Sequence, residues 1–584
     1  MKNRVVIYII TVLLMVVGIY FGMEHIKEDN PAAFRVKITS DEHTEHIDYW
    51  QGPDGCIYVF LPGYVAFEDV VIDLETTNDV YINQLLIEDG MSCSAFEKDC
   101  FYDFTYTSWG KEYSYQLKFI QSANVATMYI DTASGNMEYI HRLKGNEESG
   151  SMVLYTADGQ LDYEGNVNAL NGRGNDTWSN YEKKPYSVKL DNAADLLQMG
   201  MAEKWILLAN AKDASNLNNK IVYDFADKVG LSYAPDAEWV DLYLNDEYMG
   251  LYLLCERIEI GESRVDIETT TQEVESSYIV SQEIVERLTN LGEPYITTEA
   301  GVGLRIHEPS EFTNEQIHGI ASQFQIAERG IMASDGVDPQ TGTHYTDIID
   351  MDSWVRKYLL EEIFMNIDAG YGSQYFFCHD KSVDDKIYAG PAWDYDHALA
   401  RQRVIAPDAM IANREYAREY GYTPWFYELY QKEEFYRQIV KIYTEEYKAE
   451  LAYLRDTQLP IYVEKVRTAA EMNHIRWFMN TDENFEQNVE DIFSFLDTRI
   501  AFLDKMWIDN MECNTVRVET EYGYFYTYYT VPVGEKIKEL PEIKAQEKMY
   551  FVGWYHEDTD LPFDITQPIY EDMQIYPKWE PVDG

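Results

Sequence analysis

The chain has 584 residues, with 47 Lys and Arg against 102 Asp and Glu, a formal net charge of −55 and a pI near 4.4. A surface this acidic repels a phosphate backbone, which excludes nucleic acid as a partner, disfavours anionic lipid and suits cations and basic substrates. The hydrophobic fraction of 46% and the aromatic fraction of 14%, with 48 tyrosines, supply folded cores, and the length implies about three or four domains.

In chain order, residues 5–23 form an uncharged, almost wholly apolar run preceded by Lys2 and Arg4. At ~1.5 Å per residue such a run crosses a ~30 Å hydrocarbon core. The flanking basic residues keep the N-terminus cytoplasmic, giving a single-pass cell-membrane protein with its main body extracellular. A cleaved signal peptide is the rival reading; the missing small-x-small site before Glu24 favours an uncleaved anchor over 1–29.

Residues 30–124 read as a β-rich, sandwich-like accessory domain with short strands at 33–39, 56–60, 70–74, 80–87, 101–107 and 113–119. The six cysteines show no metal-ligand spacing. Cys93 and Cys100 either pair across their loop or stay free, and Cys255 and Cys378 read as buried thiols.

Next comes Asn171-Gly-Arg-Gly-Asn-Asp-Thr-Trp178, a small-residue turn whose backbone N–H groups suit phosphate, with the Arg173 guanidinium beside them. The strand at 183–190 carries Lys183, Lys184 and Lys189. These lysines either bind phosphates, Lys189 foremost and Lys184 second, or blunt a solvated strand edge. Residues 213–230 predict a capped helix with Leu217, Ile221 and Phe225 on its core face; its Asn218, Asn219 and Asp224 either reach a site or meet solvent. The alternation over 240–254 predicts a hairpin turning at Asn245-Asp246-Glu247, followed by Glu256, which either flanks adenine as a kinase hinge does or sits in a surface salt bridge.

Apolar positions at Trp354, Tyr358, Leu359 and Ile363 predict a helix over 353–367 that delivers Asp368. A strand, turn and strand over 374–389 then lead to Ala389-Gly-Pro-Ala-Trp-Asp-Tyr-Asp-His-Ala-Leu-Ala400. Asp394 and Asp396 are hard oxygen donors of the kind Mg²⁺ accepts beside phosphate and water; capping a neighbouring helix is their plain structural alternative. A loop Asp, a hairpin and a second Asp is the order in which protein kinases place a base and a metal acid.

These residues resemble the CotH kinase family, the atypical kinases of spore coats. The resemblance is carried by Asn366-x-Asp368 with the 390–400 stretch, by 171–190, by Trp205-Ile-Leu-Leu-Ala-Asn210 and by the 240–256 hairpin. It implies a kinase-like domain over 125–512 and an α+β fold class with a bilobal atypical protein-kinase-like core. By the same resemblance, ATP and Mg²⁺ or Mn²⁺ are the cofactors and a protein hydroxyl on Ser, Thr or Tyr is the acceptor. Asp368 is then the catalytic base, Asp394 and the auxiliary Asp396 are the metal ligands, and Arg173, Lys184, Lys189 and Glu256 are nucleotide-binding. The sequence departs from typical kinases at Ser373, where an Asn helps to hold a second metal.

Residues 425–510 read as helical, and 513–584 as a small β module. Its Gly553-Trp-Tyr555 and Tyr576-Pro-Lys-Trp579 pieces resemble the Listeria-Bacteroides repeat of bacterial surface proteins. Two functions stay open: a membrane-anchored protein kinase at the bacterial surface, or a non-catalytic surface protein whose β modules bind a protein or glycan.

Overall fold

The computed structural model describes residues 34–581, apart from 41–42, 75, 77, 109, 369–371, 400–405, 412–424, 522–524, 544–545 and 547. The anchor read over 1–29 lies outside the described residues. Among the described residues no helix is long and apolar enough to cross a membrane. The fold is α+β, and the chain divides into two units: Met1–Leu197 with Trp239–Tyr252 and Lys465–Asp482, and Gln198–Glu238 with Leu253–Glu464 and Glu483–Gly584.

The first unit begins with two sheets over one core. His43–Asp48, Phe34–Ser40 and Val70–Leu74 form one; the other runs Trp50–Gln51, Ile57–Leu61, Lys111–Gln121, Phe101–Ser108, Val80–Ile82, Leu85–Leu86. Ile57–Leu61 is buried at every residue and packs with Val36, Ile72, Phe104 and Phe119. The strand read across 80–87 is instead a tight hairpin, because Asn83 and Gln84 take φ of 46° and 65°, the left-handed turn that matches strand twist. The His43–Asp48 strand was not visible in its polar sequence; pairing with Phe34–Ser40 makes it.

A third sheet follows in the same unit. Ala126–Thr132, Glu147–Tyr155, Leu161–Gly172 and Tyr186–Asp195 pair antiparallel in chain order, and Ala126 opposite Val240 starts a parallel pairing at the other edge. The predicted turn is present, with Asn245 at φ 49° and Asp246 at φ 67°. Gly250, at φ 109°, is required: a Cβ there would lie 2.6 Å from Asn473 Oδ1 and 2.8 Å from Trp477 Nε1.

In the second unit Trp205 to Leu208 pairs with Glu256 to Leu253. A five-stranded antiparallel sheet runs Tyr295–Thr297, Gly303–Glu308, Tyr278–Glu283, Tyr375–Cys378, Ile387–Ala389. The Met351–Ile363 helix packs Trp354 against Phe376 of that sheet at 5.1 Å and against Trp425 at 5.8 Å between ring centroids. Its N-terminus is capped by Asp350, which accepts from Ser353 N at 2.8 Å. It stops four residues before its expected end, and Met365 at φ 48° turns the chain out. Trp425–Tyr430, Glu433–Ile442 and Phe485–Trp507 follow as helices. A final four-stranded sheet, Phe525–Pro532, Cys513–Glu521, Met573–Pro581, Met549–His556, closes on a core of Val516, Val518, Val531, Ile569 and Ile575. None of the six cysteines is in a disulfide, so Cys93, which is buried, and Cys100, which is exposed, do not pair.

Candidate active site

The Trp393 to Asp396 loop leaves the Ile387–Ala389 strand with its side chains alternating in environment. Trp393 stacks on Tyr223 at 6.1 Å, and the wholly buried Tyr395 donates to Glu361 Oε1 at 2.7 Å while accepting from Lys357 Nζ at 3.1 Å. Lys357 and Glu361 are themselves ion-paired at 2.7 Å. Anchoring both rings inward leaves Asp394 and Asp396 only half-buried. Asp394 has φ 65°, a left-handed conformation that costs a residue with a Cβ about 1 kcal/mol and persists only where neighbours enforce it.

Those neighbours come from the Asn218–Lys228 helix. Asn219 Nδ2 donates to Asp396 Oδ1 at 2.8 Å, and Asn219 Oδ1 accepts from Tyr395 N at 2.8 Å. Asn218 Nδ2 donates to Ala398 O at 3.0 Å. The helix start is fixed by Asp213, whose carboxylate accepts from Ser215 N at 2.9 Å and from Leu217 N and Asn218 N at 3.0 Å. Asn218 and Asn219 are each 2% exposed, so the solvent alternative for them is wrong. Asp224 bonds Lys220 at 2.9 Å and Tyr462.

Asp368 sits just past the helix end, its N–H donating to Asn366 Oδ1 at 3.2 Å and its carbonyl accepting from Gly372 N at 3.2 Å. Burial pushes its carboxyl up to about 7, repulsion from Asp394 and Asp396 adds to that, and Lys212 and Arg287 oppose it. Burial likewise pushes Asp396 up to about 6, with Asp394 adding and Lys212 and Asn219 opposing. The three acids therefore share one electrostatic neighbourhood. Ser373 Oγ donates to Asp394 Oδ2 at 3.0 Å.

This donor set suits a hard divalent cation. Mutually repelling carboxylates gain most from a positive charge, and their oxygens match Mg²⁺ or Mn²⁺. Among the described residues no group of three or more His, Cys, Asp or Glu is arranged to hold a metal. Mg²⁺ usually takes only one or two carboxylates from protein, and Asp394 and Asp396 are the two that this loop carries.

The residues singled out for nucleotide lie elsewhere in the chain, and all but Glu256 belong to the first unit. At the glycine turn, Arg173 N donates to Pro185 O at 3.1 Å, and Lys144 Nζ donates to Gly174 O at 2.8 Å. Gly172 makes room for an indole: a Cβ there would lie 2.2 Å from the Trp178 ring. Lys184 Nζ donates to Trp178 O at 2.5 Å, and Lys189 is half-buried opposite Ala169. Lys183, 3% exposed, donates to Leu251 O at 2.6 Å and Asn473 Oδ1 at 2.7 Å, which removes it from any solvated edge. Glu256 pairs with the buried Arg264, accepts from Asp236 N at 2.9 Å and donates its own N–H to Asp236 O at 3.1 Å. Its ion pair is interior and not at the surface.

Sequence reading passed over Lys212, whose ammonium lies 2.9 Å from His397 Nε2. Its signal was weak, one lysine in a loop. Residues 170–503, more than half of the chain, match the family model described as CotH kinase protein. No protein of curated function matches the chain.

Proposed function

We propose that this chain, which belongs to the CotH kinase family, is an ATP-dependent protein kinase with Asp368, Asp394 and Asp396 as its reactive centre. The observation that carries this reading is the geometry of the 393–399 loop, where Asn219 holds Asp396 and the Tyr395 N–H, Ser373 donates to Asp394, and the charges of both acids help to raise the carboxyl of Asp368. Asp368 orients a Ser, Thr or Tyr hydroxyl and receives its proton as the hydroxyl oxygen bonds to the γ-phosphorus and the bond to ADP breaks. Asp394, with Asp396, would hold Mg²⁺ or Mn²⁺, which when bound supplies charge neutralisation on the phosphates. The family resemblance expects phosphate contacts from Lys189, Lys184 and Arg173, an adenine neighbour in Glu256 and a two-lobed kinase-like core.

The same proposal places the main body outside the cell, anchored by the apolar run at 5–23, with the C-terminal sheet as a Listeria-Bacteroides-like module. The uncharged length of that run and the basic residues before it support the address. Because ATP is scarce outside cells, a non-catalytic surface protein that binds a protein or glycan is the second reading. The hydroxyl of Ser373 on Asp394, where kinases use an Asn on a second metal, favours it.

Thermal denaturation of the full chain in detergent with ATP and Mn²⁺ separates the two. A metal-dependent rise in Tm that Asp394→Asn removes supports the kinase; no shift at millimolar nucleotide leaves the scaffold.

A further inference from the structure

The acids of the reactive centre have a cation in their own unit. Lys212 lies in the loop between the Met201–Leu208 strand and the Asn218–Lys228 helix. Its ammonium is 2.9 Å from Nε2 of His397, the residue that follows Asp396 in the chain. An ammonium only donates, so in this contact His397 Nε2 is the accepting nitrogen. The loop around Lys212 is fixed on both sides. Asn210, at φ 48°, accepts through Oδ1 from Asn219 at 3.3 Å, the same amide that holds Asp396, and Asp213 caps the helix. The positive charge is felt by both Asp368 and Asp396, where it works against the burial that raises them.

A lysine on a flexible stem, held at its tip by the ring that follows Asp396 and opposing the raised pKa of both Asp368 and Asp396, is organised in advance for negative charge beside those acids. Charge of that kind appears on the equatorial oxygens of a phosphoryl group in transit. We propose that Lys212 is a catalytic residue that contacts the transferring phosphoryl group, with His397 as the positioning residue that aims it. This rests on the phosphotransfer reading above. In the step, the acceptor oxygen bonds to phosphorus, the bond from phosphorus to the ADP oxygen breaks, the hydroxyl proton passes to Asp368, and Lys212 keeps its proton throughout. Lys212 also competes with any cation for the field of Asp396 while nucleotide is absent.

Two measurements on the full chain in detergent test this. Titration of the nucleotide-free protein with Mn²⁺ is expected to show about tenfold tighter binding in Lys212→Met and wild-type affinity in Lys212→Arg, because only the former removes a charge. Phosphoryl transfer from ATP is expected to fall about 100-fold in kcat in Lys212→Met, with KM for ATP little changed. His397→Gln, which keeps an acceptor for the ammonium, retains more of the rate than His397→Leu. Equal Mn²⁺ affinity in wild type and Lys212→Met overturns the placement, as does the absence of Mn²⁺ binding in both. Equal kcat overturns the catalytic role. If wild type transfers no phosphate, the phosphotransfer reading fails and Lys212's role with it, while the Mn²⁺ comparison still decides whether its charge faces the acids.

Discussion

Asn219 holds Asp396 at 2.8 Å through its amide nitrogen while its oxygen takes the Tyr395 N–H at the same distance. One buried side chain thus sets the backbone and one acid of the loop together. Asn219→Leu strips both bonds and leaves the Tyr395 N–H unpaired in the interior, which costs about 1–3 kcal/mol. A lowered Tm and at least a tenfold loss of phosphate transfer are expected. Asn219→Asp keeps the acceptor for Tyr395 N but sets a second carboxylate on Asp396, so Mn²⁺ titration should show altered affinity even where Tm is partly restored.

Asp394 is the acid on which the Ser373 hydroxyl rests. Asp394→Ala is expected to abolish both transfer from ATP and the metal-dependent rise in Tm, with an unchanged far-ultraviolet circular dichroism spectrum. Ser373→Ala removes one neutral donor and should lower transfer by only a few fold. If Asp394→Ala transfers phosphate at the wild-type rate, the metal assignment is wrong.

Lys183 is buried against Leu251 O and Asn473 Oδ1, with its ammonium 4.7 Å above the Tyr252 ring. Lys183→Met keeps the length of the side chain but strips the ammonium's bonds to Leu251 O and Asn473 Oδ1. The expected cost is about 1–3 kcal/mol, read as a lower midpoint in urea. An unchanged midpoint would show that this lysine has no structural role.

Asp241 lies in the first unit, wholly buried, accepting from Ser122 and from Tyr248 OH at 3.0 Å. Burial pushes its carboxyl up to about 7, only partly offset by those two hydroxyls and by Lys183. The folded state therefore binds a proton that the unfolded chain, with an ordinary carboxyl near pH 4, has already released. Stability from this group is complete below about pH 4 and is lost as pH rises through about 7. Asp241→Asn should flatten the fall of Tm across that window, relative to wild type. A parallel profile would assign the pH dependence to other groups.

Much of the candidate site was legible because it is local in the chain. The apolar period at 353–367 led to Asp368, and the hydrophobic strand before Asp394 led to the acid pair. The lysine strand and the Gly172 turn were legible as elements but not as environments, since Trp178 lies over the glycine and takes Lys184 on its carbonyl. Asn219 was visible as a helix residue and was assigned either a site or solvent. Its burial depends on the 393–399 loop, some 170 residues away, and no local pattern records that contact. Lys212 was missed for the same reason.

By itself the sequence determined the residue types and their order: two acids around a tyrosine, a third acid beyond a helix, glycines at turns, and apolar periods that choose strand or helix. Those follow from backbone sterics and from the spacing of side chains along one element, and neither needs a partner far along the chain. Only the tertiary structure decided the environments. Whether a lysine ends on an imidazole, as Lys212 does on His397, or is buried on a carbonyl, as Lys183 is on Leu251, depends on which distant groups remove its water and answer its charge.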